Sequence, residues 1–197
     1  SGFTRVSSAY FGELPAVSLL TLTDDDLAAV QAVEEKIAAI GEITLASKGA
    51  IEEAEAAYDA LTEAQKQLVT NADVLAAARK SYDELEAVKA VEEKIAAIGE
   101  VTLASKGVIE EAEAAYDALT EAQKSQVGNT DVLAAARASY NDLEAAKAVE
   151  EKIEAIGEVT LESKSAIDEA NAAWKALNRT QKKLVPNWSV LDTAKKS

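Results

Sequence analysis

The sequence predicts an all-α protein built from tandem three-helix bundles, and three observations support this fold class. The composition is rich in Ala, Leu, Glu and Lys, which favour helices, and contains only 8 Gly and 2 Pro. The string VEEKIAAIGE begins at Val33 and again at Val91, and VEEKIEAIGE begins at Val149. One unit therefore recurs every 58 residues. Within each unit, apolar residues follow the three- and four-residue spacing of helix faces.

The repeats divide the chain into four predicted regions. Residues 1–22 have no sustained helical period and are interpreted as an extended segment or the tail of a preceding domain. Helical repeats are predicted over 23–90, 91–148 and 149–197, the last being shortened and divergent. Residues 33–90 and 91–148 differ at ten of 58 positions, which indicates recent duplication.

The first repeat begins with a clear helix signal. Thr23 followed by three aspartates predicts an N-cap, with acidic groups at the positive end of the helix. Val33, Ile37 and Ile40 then form an apolar stripe, and Gly41 predicts a left-handed helix end. The connector that follows is expected to lay Ile43 and Leu45 across the bundle.

Further polar residues predict the starts of the following helices. Ser47 is expected to cap the second helix. The string TEAQ predicts a capping box, in which Thr62 and Gln65 satisfy each other's backbone N–H groups. This signal recurs as Thr120 with Gln123 and as Asn178 with Gln181. Asn71, Asn129 and Asn187 each precede an apolar helical run and are predicted to be N-caps.

A long helix is predicted to join each repeat to the next. Residues 72–98 contain no Gly or Pro. Leu75, Ala78 and Tyr82 lie on one face, whereas Val88 and the apolar residues after it lie on a rotated face, because two three-residue steps meet at Leu85. Uninterrupted helix is therefore predicted through 85–91 and 143–149, which would join the bundles into a semi-rigid rod.

Composition excludes several classes of function. The chain has no Cys and no His, so disulfides, thiol chemistry and the usual general base are absent. A net charge of −15 disfavours binding to nucleic acid. No apolar run is long enough to predict membrane insertion. We therefore expect a non-enzymatic, monomeric protein without cofactor or metal.

Acidic pairs are the first candidates for chemistry. Glu34 with Glu35, Glu52 with Glu53, and the aspartates 24–26 could suggest metal binding or a glycosidase. No Gly-containing calcium loop is present, and slender bundles are expected to lack a cleft. The acidic pairs are therefore interpreted as solvated helix faces.

The third repeat carries a different candidate. Residues 33–90 (12 acidic, 6 basic) and 91–148 (11 acidic, 5 basic) each have net charge −6, whereas 149–197 (8 acidic, 8 basic) is neutral. Its added cations accompany both tryptophans of the chain, and the candidate residues are Trp174, Arg179, Lys182, Lys183 and Trp188. This basic patch is interpreted either as a binding face or as the terminal cap of the array. Tyr58, Tyr116 and Trp174 share one repeat position, as bundle core or as partner anchors.

The strings IEEAEAAYDALTEAQKQLV (51–69) and VEEKIAAIGEVTLASKG (91–107) carry a family resemblance. They resemble a helical repeat of large surface proteins from Gram-positive, often gut-dwelling, bacteria. The resemblance covers about 33–197 and implies an extracellular location within a longer anchored protein. The build is also similar to the tandem three-helix immunoglobulin-binding repeats of staphylococcal protein A, without a shared motif.

Two functions follow as expectations. The chain is predicted to bind a host protein, with immunoglobulin the leading candidate, through helix faces that repeat and so give avidity. In addition to the third-repeat patch, the candidate partner-facing residues are Asp59, Glu63, Asp117 and Glu121. The alternative is a rigid stalk that projects an adhesin or enzyme domain from the cell wall.

Overall fold

The computed structural model describes residues 23–196, and the expectation for residues 1–22 lies outside this range. The described chain is all-helical, as predicted. Its α-helices are α1 Asp24–Ala39, α2 Lys48–Asp59, α3 Glu63–Lys66, α4 Ala72–Ala96, α5 Lys106–Asp117, α6 Glu121–Lys124, α7 Thr130–Glu154, α8 Lys164–Ala176, α9 Arg179–Lys183 and α10 Trp188–Ala194. Short 3₁₀ helices at Leu45–Ser47, Leu103–Ser105 and Leu161–Ser163 precede α2, α5 and α8.

Within residues 23–196, the buried apolar side chains form three clusters. The chain divides into two compact units, the first ending at Tyr82 and the second beginning at Asp83. The first cluster lies in the first unit, around Ile37 and Ile51. The second and third clusters lie in the second unit, around Ile109 and Ile153 respectively. Apolar burial of this kind supplies most of the driving force for folding.

Helix continuity was predicted through 85–91 and 143–149, and it is confirmed. The 25-residue helices α4 and α7 each run without interruption through these ranges. Tyr82 of α4 belongs to the first cluster and Val88 to the second. In the same way, Tyr140 of α7 belongs to the second cluster and Ala146 to the third. Each long helix thus supplies core residues to two consecutive clusters.

A glycine follows the end of each of the helices α1, α4 and α7, and it adopts the left-handed backbone expected from the sequence. Gly41, Gly99 and Gly157 have φ angles of 64°, 60° and 57°. A side chain on any of these residues would be strained by this conformation even where space is open. The three glycines therefore fix the ends of α1, α4 and α7.

The predicted capping boxes are present. Thr62 Oγ1 accepts from Gln65 N at 3.3 Å, and Thr62 N donates to Gln65 Oε1 at 2.8 Å. The same reciprocal pairing occurs at Thr120 with Gln123 and at Asn178 with Gln181. Thr23 and Asp26 form a capping box at the start of α1. Each box satisfies backbone donors that a helix start leaves unpaired.

The predicted roles of Ser47 and Leu45 are wrong. Ser47 precedes α2, but its side chain makes no capping bond to that helix. Its hydroxyl instead accepts from Thr44 N at 3.0 Å and donates to Glu42 O at 3.2 Å, which holds the preceding 3₁₀ turn. That turn points Leu45 outward, leaving it 41% exposed, whereas Ile43 packs against the first cluster.

The predicted capping role of the three asparagines is also wrong. Asn129 and Asn187 occupy N-cap positions, but neither side chain makes a cap bond. Asn71 Nδ2 donates instead to Glu34 O at 3.1 Å, across 37 residues of sequence. Asn129 donates to Glu92 O at 3.0 Å and Asn187 to Glu150 O at 3.1 Å. These amides therefore tie neighbouring helices together.

Two equivalent, partly buried ion pairs are expected to make the stability of the protein depend on pH. Arg137 Nε donates to Glu113 Oε1 at 2.7 Å, and Arg79 Nε donates to Glu55 Oε1 at 2.7 Å. These hydrogen bonds lower the pKa of Glu113 and of Glu55 below the ordinary value of 4.5, although partial burial opposes the shift. Asn171 replaces the glutamate in the third repeat.

The pKa values of Glu55 and Glu113 are lower in the folded than in the unfolded protein. The two ion pairs therefore stabilise the fold fully above pH 4.5, and their contribution is lost as pH falls through the folded-state pKa. We expect the free energy of unfolding to fall with acidification in this range. The double variant Glu55→Gln, Glu113→Gln should show a smaller fall, measured by denaturant titration at several pH values. Equal falls in both proteins would contradict this assignment.

Candidate partner-binding surface

An aromatic ring beneath a lysine recurs at one position of every repeat. Tyr58 lies in the last turn of α2, and the capping box at Thr62 starts α3 directly afterwards. This tight connection places Lys66 Nζ 5.7 Å from the centre of the Tyr58 ring. Lys124 lies 5.8 Å from the Tyr116 ring, and Lys182 lies 5.9 Å from the Trp174 ring. We call each pair, with its flanking charges, an aromatic–lysine surface.

All three rings are half-buried. Each packs against the apolar cluster of its own repeat and remains partly exposed. Each ring is therefore part of its bundle core, and its exposed atoms make it a candidate contact residue. A rigidly held aromatic side chain of this kind costs little entropy when it contacts a partner.

Exposed acids flank the ring in the first two repeats. The side chains of Glu63 and Glu121 are 89% and 91% exposed. Each reaches its lysine, with Glu63 Oε1 3.2 Å from Lys66 Nζ and Glu121 Oε1 3.1 Å from Lys124 Nζ. Asp59 and Asp117 are also exposed. Exposed ion pairs contribute little to stability, so Glu63 and Glu121 are expected to contribute little to the stability of the fold.

The third repeat reverses the flanking charges. Lys175 stands where Asp59 and Asp117 stand, and Arg179 stands where Glu63 and Glu121 stand. Among residues 23–196, no ion pair involves Lys175, Arg179, Lys182 or Lys183. Lys182 Nζ instead approaches the carbonyl oxygen of Lys175 at 3.4 Å.

The five third-repeat residues identified from the sequence lie together. Trp174, Arg179, Lys182, Lys183 and Trp188 line one open groove, and the buried Val185 completes it. The two tryptophan rings stack with centroids 5.6 Å apart and an interplanar angle of 14°. Trp188 is 45% exposed. We call this site the tryptophan groove.

A second open groove was not anticipated from the sequence. It is lined by Leu161, which is 99% exposed, together with Val159, Ile167 and Asn171. The sequence does differ at this groove, because Asn171 and Lys195 stand where the other repeats have the ion pairs Glu55–Arg79 and Glu113–Arg137.

The acidic pairs have structural partners. Glu34 Oε1 accepts from Thr70 N at 2.7 Å, and the Thr70 hydrogen bonds lower the pKa of Glu34. Glu53 pairs with Lys36, which lowers the pKa of Glu53. Within residues 23–196, no group of three or more acidic side chains is arranged to hold a metal ion. No helix in this range combines the length and apolar character needed to cross a bilayer.

No protein-family model, curated protein or solved structure matches this sequence.

Proposed function

We propose that this chain is a non-enzymatic, extracellular repeat region of a bacterial surface protein that binds a host protein through its helix faces. The observation that carries the proposal is the aromatic–lysine surface, which the first two repeats present with the same flanking acids. Aromatic side chains dominate binding hot spots, and the flanking charges supply specificity and favourable encounter rates.

The near-identity of the first two surfaces supports a two-site mode of binding. Asp59 and Glu63 recur as Asp117 and Glu121, and the lysine–ring distances differ by only 0.1 Å, 5.7 Å against 5.8 Å. A partner with two equivalent epitopes would gain avidity, because its second contact forms at high effective concentration. Immunoglobulins have duplicated chains, and the similar build of immunoglobulin-binding repeats makes them the first partner to test.

The test is capture of purified immunoglobulin and of whole serum proteins by the immobilised full-length chain. The informative variant reverses the acids of the first two surfaces, using the residues that the third repeat carries at those positions. It contains Asp59→Lys, Glu63→Arg, Asp117→Lys and Glu121→Arg. We expect host-protein binding to weaken at least about tenfold, because four carboxylates that face the partner are replaced by cations.

A matched control makes the same type and number of charge changes elsewhere on the same repeats. It contains Glu35→Lys, Glu42→Lys, Glu93→Lys and Glu100→Lys, all at exposed positions. This control should retain binding. Equal losses of binding in both variants would show that net charge alone causes the effect and would contradict the proposed surface. If the chain captured no host protein, the proposed function would be contradicted.

A second function, a rigid spacer, is favoured by a different observation. Helices α4 and α7 each extend for 25 residues, about 38 Å at 1.5 Å per residue, and supply two consecutive clusters. Two repeats that share a helix have no linker at which to bend. We propose that the repeats form a semi-rigid rod able to hold another domain away from the cell wall.

The absence of cysteine permits a direct measurement of rigidity. Spin labels attached at Glu52→Cys and Glu110→Cys, equivalent exposed positions of two repeats, should give a narrow distance distribution. Inserting Gly-Ser between Glu86 and Ala87 in α4 should broaden it, because the helix is then interrupted. The same insertion after Gly41, outside α4, is the control and should leave the distribution narrow. A broad distribution in the unaltered chain would contradict the rod.

A further inference from the structure

The tryptophan groove differs from the other two aromatic–lysine surfaces in lacking an internal carboxylate. Lys66 and Lys124 each have a glutamate within 3.2 Å. At the equivalent position, Lys182 has Arg179, so a cation replaces the anion. The lysine keeps its place over the aromatic ring, but its acidic partner has been removed.

We propose that the tryptophan groove binds an acidic polypeptide segment, whose carboxylates occupy the place that Glu63 and Glu121 occupy in the other repeats. Arg179, Lys182 and Lys183 would receive these carboxylates. The stacked tryptophans would receive an apolar or aromatic side chain of the same segment. This inference rests on the proposed function, since it names the partner chemistry at one of its three surfaces.

The geometry favours this chemistry in two ways. Arginine forms paired hydrogen bonds with a carboxylate, and the exposed Arg179 is not engaged by a carboxylate among residues 23–196. The 45% exposure of Trp188 leaves one ring face open beside the cations, because Trp174 covers the other. A neighbouring aromatic and cation are the residue types enriched at the centres of protein interfaces.

Other anionic ligands are less well matched to the molecule. A nucleic acid duplex would bring many phosphates close to a chain of net charge −15, in which residues 33–90 and 91–148 are each acidic by six charges and residues 149–197 are neutral. A short acidic segment needs only the few cations that this groove supplies. One of its carboxylates would take the place of the single glutamate that pairs with the lysine in each of the other two repeats.

The experiment uses the intrinsic fluorescence of the full chain. Both of its 2 tryptophans line the groove, so emission reports directly on this site. The probe is a glutamate-rich peptide with one central phenylalanine and no tryptophan. We expect saturable changes in emission that weaken as salt is raised. The same peptide with glutamine in place of glutamate should produce no saturable change.

Two variants take their residues from the other repeats, which carry them at equivalent positions. Arg179→Glu restores the internal carboxylate and should weaken peptide binding at least about tenfold. Trp188→Ala, which copies Ala72, should weaken it similarly through loss of the open ring face. Circular dichroism checks that each variant folds, and Arg179→Glu retains both tryptophans as reporters should Trp188→Ala fail to fold.

Four outcomes would overturn the inference. These are saturable binding of the glutamine peptide with equal affinity, unchanged affinity in Arg179→Glu, a response to heparin but not to the peptide, and emission that changes with protein concentration alone. The last two would assign the groove to a sulfated glycan or to a second copy of the chain. None of these four outcomes would change host-protein capture through the surface that contains Asp59 and Glu63, so the two proposals can fail separately.

Discussion

Replacing Ile109 with alanine is expected to lower the free energy of unfolding by about 2–5 kcal/mol. Ile109 is 0% exposed and lies in the second apolar cluster. The substitution removes buried methyl groups and leaves a cavity that the surrounding helices fill only partly. Denaturant unfolding followed by circular dichroism would measure the loss. A change below about 1 kcal/mol would contradict the placement of Ile109 at the centre of a packed core.

The chain provides a matched control for this substitution. Ile167 occupies the same repeat position in the third repeat but is only partly buried. Ile167→Ala should therefore cost less than Ile109→Ala. Equal costs would indicate that the third cluster is packed as tightly as the second.

Proline at position 148 is expected to destabilise the protein by about 3 kcal/mol or more. Ala148 is an exposed residue near the middle of the second half of α7, so its side chain contributes little to packing. Proline would remove the backbone bond to the fourth preceding residue, and its ring would clash with that residue's carbonyl group. The second and third clusters should both lose order, because α7 supplies core residues to each.

Ala148→Glu serves as the control, since glutamate is a good helix former and the position is exposed. It should change stability by no more than about 0.5 kcal/mol. Helix content and unfolding free energy, measured together, would separate the two variants. Retention of wild-type stability by Ala148→Pro would mean that α7 is not continuous through this region.

Features set by nearby residues were predictable from the sequence. The left-handed glycines at 41, 99 and 157 and the capping boxes depend on side chains no more than a few residues away. The long helices could be predicted because an apolar stripe continues through 85–91 and 143–149 without a helix breaker. Local chemistry and tertiary packing agree at these positions.

Features that depend on distant partners, or on the geometry of one particular turn, were not predictable. An asparagine before a helix is a common local cap, but Asn71 bonds to the backbone of Glu34, which only the folded chain brings close. Leu45 has an apolar side chain of the kind usually found in a core, yet the 3₁₀ turn held by Ser47 points it outward. In both cases, a tertiary or turn-specific hydrogen bond overrides the local preference.

The candidate site was predictable in composition but not in geometry. Counting charges by repeat identified the cations around Arg179, and the repeat alignment identified Trp174. The stacking of Trp174 on Trp188 was not predictable, because the rings lie in different helices separated by α9. The removal of the glutamate partner of Lys182 becomes meaningful only once Lys66 and Glu63 are seen to pair.

The shared helices also bear on how such a chain can change in length. The repeat period is 58 residues in sequence, and a crossover between matching points of two repeats joins equivalent residues of α4 and α7. The recombined helix therefore keeps its length, its phase and its two apolar faces. Unequal crossing-over at such points would add or remove whole 58-residue units and would preserve the helix that two consecutive clusters share.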